Sequence, residues 1–228
     1  MMSNLFSIFD PSTSFWFFQI NWISSLISIF FLPYFFWFYP SRLNFFWINF
    51  NLLMLKEMKT ILNEKINSNN LILLLSLFLF ILFNNFMGLF PYIFTSTSHM
   101  ILPLTLAFPL WLMLFIYSWL FKTNFTFSHL VPQSTPTILM PFMVLIETIS
   151  NIIRPWTLSI RLTANMIAGH ILMSLMSMNM SSLNYWLIYC LILIQTILIL
   201  LEFAVSIIQA YVFTILSSLY SSEVPKNN

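Results

Sequence analysis

Five stretches of the chain are apolar for long enough to cross a hydrocarbon core, which takes about 20 helical residues. They cover 15–39, 71–90, 100–121, 137–176 and 183–219. The first contains Pro33, and the third carries Pro103 and Pro109 in its first half. The last two hold about 40 residues each, or about 55–60 Å of helix. A core about 30 Å thick forces helices of that length to tilt, kink or project. Between the first two spans, 42–66 follows a different pattern. Arg42, Lys56, Glu57, Lys59, Glu64 and Lys65 stand among apolar residues, while Leu52, Leu55, Met58 and Leu62 recur at helical spacing on one face. That pattern predicts an amphipathic helix on the membrane surface, with a solvated loop as the plainer alternative. The expected fold is an all-α membrane protein forming a single membrane domain, 1–228. It has five transmembrane helices plus one amphipathic surface helix, the last two long and tilted as a hairpin about 177–182.

Composition agrees with that pattern and excludes several classes. The chain is 60% hydrophobic and 6% charged, with a mean hydropathy of +0.90. Soluble domains carry roughly 25% charged residues, so this chain cannot clothe itself in polar surface. A net charge of +2 gives no footprint for nucleic acid. The single cysteine, Cys190, lies in an apolar run and excludes a disulfide framework. No basic residue precedes the first apolar run, so no cleavable signal is expected. The heavy use of Phe, Ile, Leu, Met and Asn fits the AT-rich codons of an organellar genome.

The basic residues outside the spans set an orientation. Residues 40–70, 122–136 and 220–228 hold Arg42, Lys56, Lys59, Lys65, Lys122 and Lys226, whereas 1–14, 91–99 and 177–182 hold none. The two sets alternate with the spans. By the positive-inside rule the N-terminus faces out and the C-terminus faces in. In a mitochondrion these sides are the intermembrane space and the matrix.

Charged and polar residues inside the last two spans are the anomaly. The fourth span carries Glu147, Asn151, Arg154, Arg161, Asn165 and His170, and the fifth Gln195, Glu202, Ser206 and Gln209. A charge at the bilayer centre costs about 2.5–3.5 kcal/mol on insertion scales and commonly marks an ion path. A single Asn, Gln or Ser could instead be packing glue, but the set as a whole is too large for that. At 100° per residue, Glu147, Asn151, Arg154, Leu158, Arg161 and Asn165 fall in a stripe about 80° wide. Gln195, Glu202 and Gln209 are heptad-spaced, with Ser206 beside them. Both stripes are expected to face inward. An antiparallel hairpin sets Arg161 level with Gln209 and His170 level with Glu202. His170 lies about 140° from Asn165 on a straight helix, so it needs Gly169 or supercoiling to join the stripe. Glu147 lies about 21 Å from Arg161 along the axis. An acid–base pair then opens outward, a carboxylate opens inward, and a cation that does not deprotonate stands between them. Two half-paths of this kind need a moving carboxylate on a partner to connect them.

These residues also carry a family resemblance. Glu147-Thr-Ile-Ser-Asn-Ile-Ile-Arg154-Pro155 and Arg161-Leu-Thr-Ala-Asn165-Met-Ile-Ala-Gly169-His170 resemble the signature of the subunit a family of F-type ATP synthases, most closely its invertebrate, insect-like mitochondrial form. Asn84-Asn-Phe-Met-Gly88-Leu-Phe-Pro91, His129-Leu-Val-Pro-Gln and Glu202-Phe-Ala-Val-Ser-Ile-Ile-Gln209 are similar too, as is the start of the chain. The resemblance implies a non-catalytic, proton-conducting stator subunit of the Fo sector in the mitochondrial inner membrane. It implies that Arg161 faces the carboxylate of a rotating c-ring. His170 and Glu202 would form the outward half-channel, Glu147 the matrix-side one, and Asn165 and Gln209 would flank the arginine. Gln195, Ser206, Asn151 and Arg154 are secondary candidates. Implied partners are the c-ring, subunit b, small membrane subunits and lipid. No cofactor or metal is implied. The high Phe, Met and Asn content and the scarcity of Gly depart from the family's usual composition.

Three other classes compete. A transporter or antiporter subunit also needs buried charges, but would show internal repeats and broken helix pairs, and only 2 Gly are present. A haem carrier needs paired axial ligands. His99 and His129 instead lie near opposite ends of the third span, where they read as surface or packing and loop residues, and His170 stands alone. A purely structural subunit has no need of Arg161 in the bilayer.

Overall fold

Long unbroken apolar runs with almost no glycine leave the backbone one economical solution in lipid, the helix, which satisfies its own hydrogen bonds. The computed structural model describes residues 5–13, 19–33, 36, 38–62, 68–131, 136–179 and 184–223, and every regular element among them is helical. Four of these helices are long and apolar enough to cross a membrane: Asn70–Gly88, Ile101–Phe121, Met140–Met178 and Tyr185–Ser222.

The first expected span looks different. Its described core is a succession of short turns from Ile20 to Phe31, with α1 (Ser24–Ile27) between two 3-10 turns. Ser25 and Ser28 donate to the carbonyls of Trp22 and Ser25. Ser24 Oγ instead reaches the Phe94 carbonyl at 2.9 Å. Ile20–Phe31 is shorter than a spanning helix; positions 15–18 and part of 34–37 lie outside the described residues.

Helix α2 (Arg42–Leu62) occupies the amphipathic segment; 63–66, with Glu64 and Lys65, lie outside the described residues. Met58 and Leu62 of the expected face are buried and Leu55 packs against the core; Met54 joins this seam, while Leu52 is 48% exposed. The four-residue spacing keeps one stripe against α3 (Ser68–Gly88) and α7 (Tyr185–Glu223). Helix α4 (Ile101–Phe121) tolerates Pro103 because first-turn amides have no helical partner, while Pro109 lies inside it. The expected loop 122–136 begins instead with a short helix, α5 (Thr123–Leu130). Helix α6 (Met140–Asn179) runs 40 residues and α7 runs 39, each beginning and ending within a few residues of expectation. The expected turn at 180–182 and the tail with Lys226 lie outside the described residues.

Helix α7 packs mainly along α3, α6 packs along α4, and α6 and α7 meet each other. The core runs through this junction: Met58 and Leu62 of α2, Phe78 and Ile81 of α3, Leu158 and Leu162 of α6, Ala210 and Phe213 of α7. Gly88 lets a polar turn enter beside α6, since a side chain there would meet Thr95 Cγ2 at 3.1 Å and Met166 Cε at 3.2 Å. That turn, Thr95–Ser98, is wholly buried, and Thr95 Oγ1 donates to Ser98 Oγ at 2.9 Å.

Candidate functional site

The α6–α7 seam divides into three levels. At one end of α6, Glu147, Asn151 and Arg154 share one side of the helix and line a cavity of about 470 Å³. Its opposite wall is aromatic, with Trp111, Phe115 and Trp119 of α4 one turn apart, the first two stacked and the third tilted against Phe115. The Arg154 guanidinium sits 5.1 Å from the centroid of the Tyr220 ring, which ties this level of α6 to the far end of α7.

The middle level is apolar and buried. Leu158 and Leu162 of α6 share the core with Ala210 and Phe213 of α7. Leu162, Ala210 and Phe213 are at most 1% exposed. The adjoining hydroxyls of Ser159 and Thr163 are buried and donate to their own helix, to the Trp156 and Ile160 carbonyls.

The third level holds Asn165, Gly169 and His170 of α6 with Glu202, Ser206 and Gln209 of α7, around a cavity of about 20 Å³. That volume admits about one water molecule. Asn165 Nδ2 donates to Gln209 Oε1 at 3.1 Å. The level partner of Gln209 is therefore Asn165, one helical turn beyond the expected Arg161. Glu202 lies against Gly169, whose missing side chain makes room for it: a Cβ there would stand 2.5 Å from Glu202 Oε1. His170 joins this group despite its angular offset on α6, and the close approach of Glu202 at Gly169 brings the two levels together. Both Glu202 oxygens and His170 Nε2 are buried without a hydrogen-bond partner. Polar atoms in that condition are costly unless water or a proton carrier reaches them. Ser206 Oγ donates to the Phe203 carbonyl at 2.7 Å. Gln195 is half-buried, two turns further along α7, and does not line the cavity.

The inward-facing stripes hold only in part. Ser206 and Gln209 are buried, and Glu147, Asn151, Arg154, His170 and Glu202 are half-buried. Arg161 and Asn165 are exposed. Arg161 stands near the midpoint of α6, beside the exposed apolar Trp156 and Ile160. The stripe turns from the interior to the outer face at this point because Leu158 and Leu162 take the inward positions.

Sequence reasoning missed a further polar group. Asn84 and Asn85 of α3 are buried, and neither amide atom of Asn85 has a partner. Thr97, in the buried turn, also keeps an unpartnered hydroxyl. Two adjacent asparagines inside an apolar span were the available signal. His99, expected as a surface or packing residue, bonds the Phe9 carbonyl at 2.7 Å.

Residues 18–222 match the family model for the ATP synthase A chain. The chain is 55% identical over 224 residues to ATP synthase subunit a of Drosophila melanogaster, covering 98% of this chain and 100% of that one. It is 54% identical over 225 residues to ATP synthase subunit a of Aedes aegypti, and 53% identical over 224 residues to that of Locusta migratoria, with the same coverage.

Proposed function

The chain belongs to the ATP synthase A chain family, and from that premise we propose that it is the proton-translocating stator subunit of the Fo sector. In this reading it supplies two offset half-channels to a rotating c-ring and couples proton flow to rotation and ATP synthesis. The chemistry of ATP belongs to other subunits. The ring passes the exposed face of α6 at Arg161, with subunit b, small membrane subunits and lipid on other faces. The membrane is the mitochondrial inner membrane. The segment 15–39 is a fifth crossing, α2 lies on the matrix surface, the N-terminus is in the intermembrane space and the C-terminus in the matrix.

One observation carries this reading. Two cavities that carry charged and polar side chains flank an apolar, buried seam of Leu158, Leu162, Ala210 and Phe213, and Arg161 stands outside that seam on the exposed face. A proton entering at His170 and Glu202 cannot pass the apolar seam to Glu147. It neutralises a ring carboxylate instead, and the neutral site crosses lipid at low cost. After nearly a full turn the site meets the Glu147 cavity and releases its proton. Asn165 and Gln209 hold the two helices at the level of the transfer, while Ser206 lines it and Asn151 and Arg154 line the exit. Arg161 attracts the ionised carboxylate and, being permanently charged, blocks a protonated site from slipping back by the short route. Each proton moved through 100 mV supplies about 2.3 kcal/mol, so several are needed per ATP.

The test is Arg161→Ala in the assembled complex. Proton-driven ATP synthesis is expected to vanish while passive proton leak through the membrane sector rises. Normal coupled synthesis with this variant would overturn the reading.

A further inference from the structure

The turn Leu5–Phe9 is a 3-10 helix of five residues. A helix that short has no stability of its own, so contacts elsewhere must hold it. Its last residue makes two, both with histidines distant in sequence. The Phe9 carbonyl lies 2.7 Å from His99 Nε2. A carbonyl oxygen only accepts, so Nε2 carries the proton and donates. The Phe9 ring meets the His170 imidazole edge-on, with centroids 6.3 Å apart and planes at 84°.

His99 is itself held in place. Its ring lies 5.3 Å from Phe94 and 5.3 Å from Trp22. Its backbone amide donates to the Ser96 carbonyl at 3.3 Å. Contacts therefore run without a break from the Ile20–Phe31 segment through His99 and Phe9 to His170. The chain then leaves this region, for Asp10 is exposed and its carboxylate accepts from the Ser12 amide at 3.1 Å. The titratable groups around His170 are accordingly Glu202 across the cavity, His99 behind Phe9, and the outward-lying Asp10.

We propose that Phe9 is a positioning residue for the proton path: anchored by His99, its ring holds the His170 imidazole at the cavity shared with Glu202. The inference rests on reading His170 and Glu202 as the proton-carrying pair. A short N-terminal turn thereby becomes one wall of that site, although no periodicity links residue 9 to residue 170.

The experiment uses the assembled ATP synthase in sealed membrane vesicles, with synthesis rate expressed per assembled complex. Phe9→Leu keeps most of the volume and removes the ring. His99→Leu removes the donor, and His99→Gln restores one of similar reach. An edge-on ring pair is worth about two- to tenfold in an equilibrium. Phe9→Leu and His99→Leu are each expected to slow proton-driven synthesis by that order. The double variant should be no slower than the worse single one, because both break the same chain of contacts. His99→Gln should recover most of the rate, which a general loss of packing would not allow. A normal rate in Phe9→Leu, or fully additive losses in the double variant, overturns the proposal. If His99→Leu does not assemble, Phe9→Leu and His99→Gln still decide it. His170→Ala, run in parallel, separates the two ideas. Lost synthesis there with a normal Phe9→Leu removes only the role of Phe9, whereas normal synthesis there removes the reading of the pair itself.

Discussion

Glu202 occupies the space that any side chain at position 169 would need. A Cβ on Gly169 would stand 2.5 Å from its Oε1 and 2.7 Å from its Cδ, closer than van der Waals contact allows. The end of a glutamate side chain is flexible, so Gly169→Ala should fold and assemble with Glu202 pushed aside. Catalytic geometry is sensitive to displacements of about 1 Å, and proton-driven synthesis is expected to fall on the order of tenfold or more. The check is the synthesis rate at unchanged complex content; an unchanged rate would mean that the placement of Glu202 is unimportant. The Asn165–Gln209 bond works at the same scale. It joins α6 to α7 through side chains, so a polar pair fixes the register where Glu202 must face Gly169.

At the scale of elements, α2 shows how an amphipathic helix docks. Met58 and Leu62 are each 1% exposed and belong to the core that includes Leu158 and Phe213. Truncating a buried Met to Ala typically costs about 2–5 kcal/mol. Met58→Ala should therefore lower the thermal midpoint of the detergent-solubilised complex, while a change at the exposed Leu52 should leave it nearly unmoved. Equal effects at the two positions would contradict this docking. The choice of Met54 over Leu52 also shows where sequence reading stops. Apolar residues occur on more than one side of α2, and only the tertiary neighbours select among them. The long helices were legible because uninterrupted apolar runs admit little else. The polar groups within α6 and α7 were legible because each stands out against such a run. The turns of Ile20–Phe31, the helix α5 and the buried Thr95–Ser98 turn were not. Their backbones are shaped by serine and threonine side chains and by contacts across the fold, and neither leaves a periodic trace. The exposure of Arg161 was equally hidden, because a helical stripe fixes which residues share a side but not which way that side points.

For the whole molecule, the decisive property is separation. The two cavities lie at different levels of one helix pair, and the apolar level between them depends on a few side chains. Phe213 is the largest of these, at 1% exposure, and it belongs to the same core cluster as Leu158 and Leu162. In the proposed function, water entering that level would give protons a route from His170 and Glu202 to Glu147 that bypasses the ring. Phe213→Ser shortens the side chain and places a hydroxyl in the gap, whereas Phe213→Leu keeps it apolar and nearly filled. The serine variant is expected to raise passive proton leak several-fold and lower the ATP made per unit of respiration. The leucine variant should remain close to normal. Leak is measured as decay of a proton gradient in vesicles whose rotor is locked, so that only a path through this chain contributes. A tight membrane with the fully assembled serine variant would show that the seam does not separate the half-paths. The barrier would then fall to Arg161 alone, and its charge rather than apolar packing would be what makes proton flow wait for rotation.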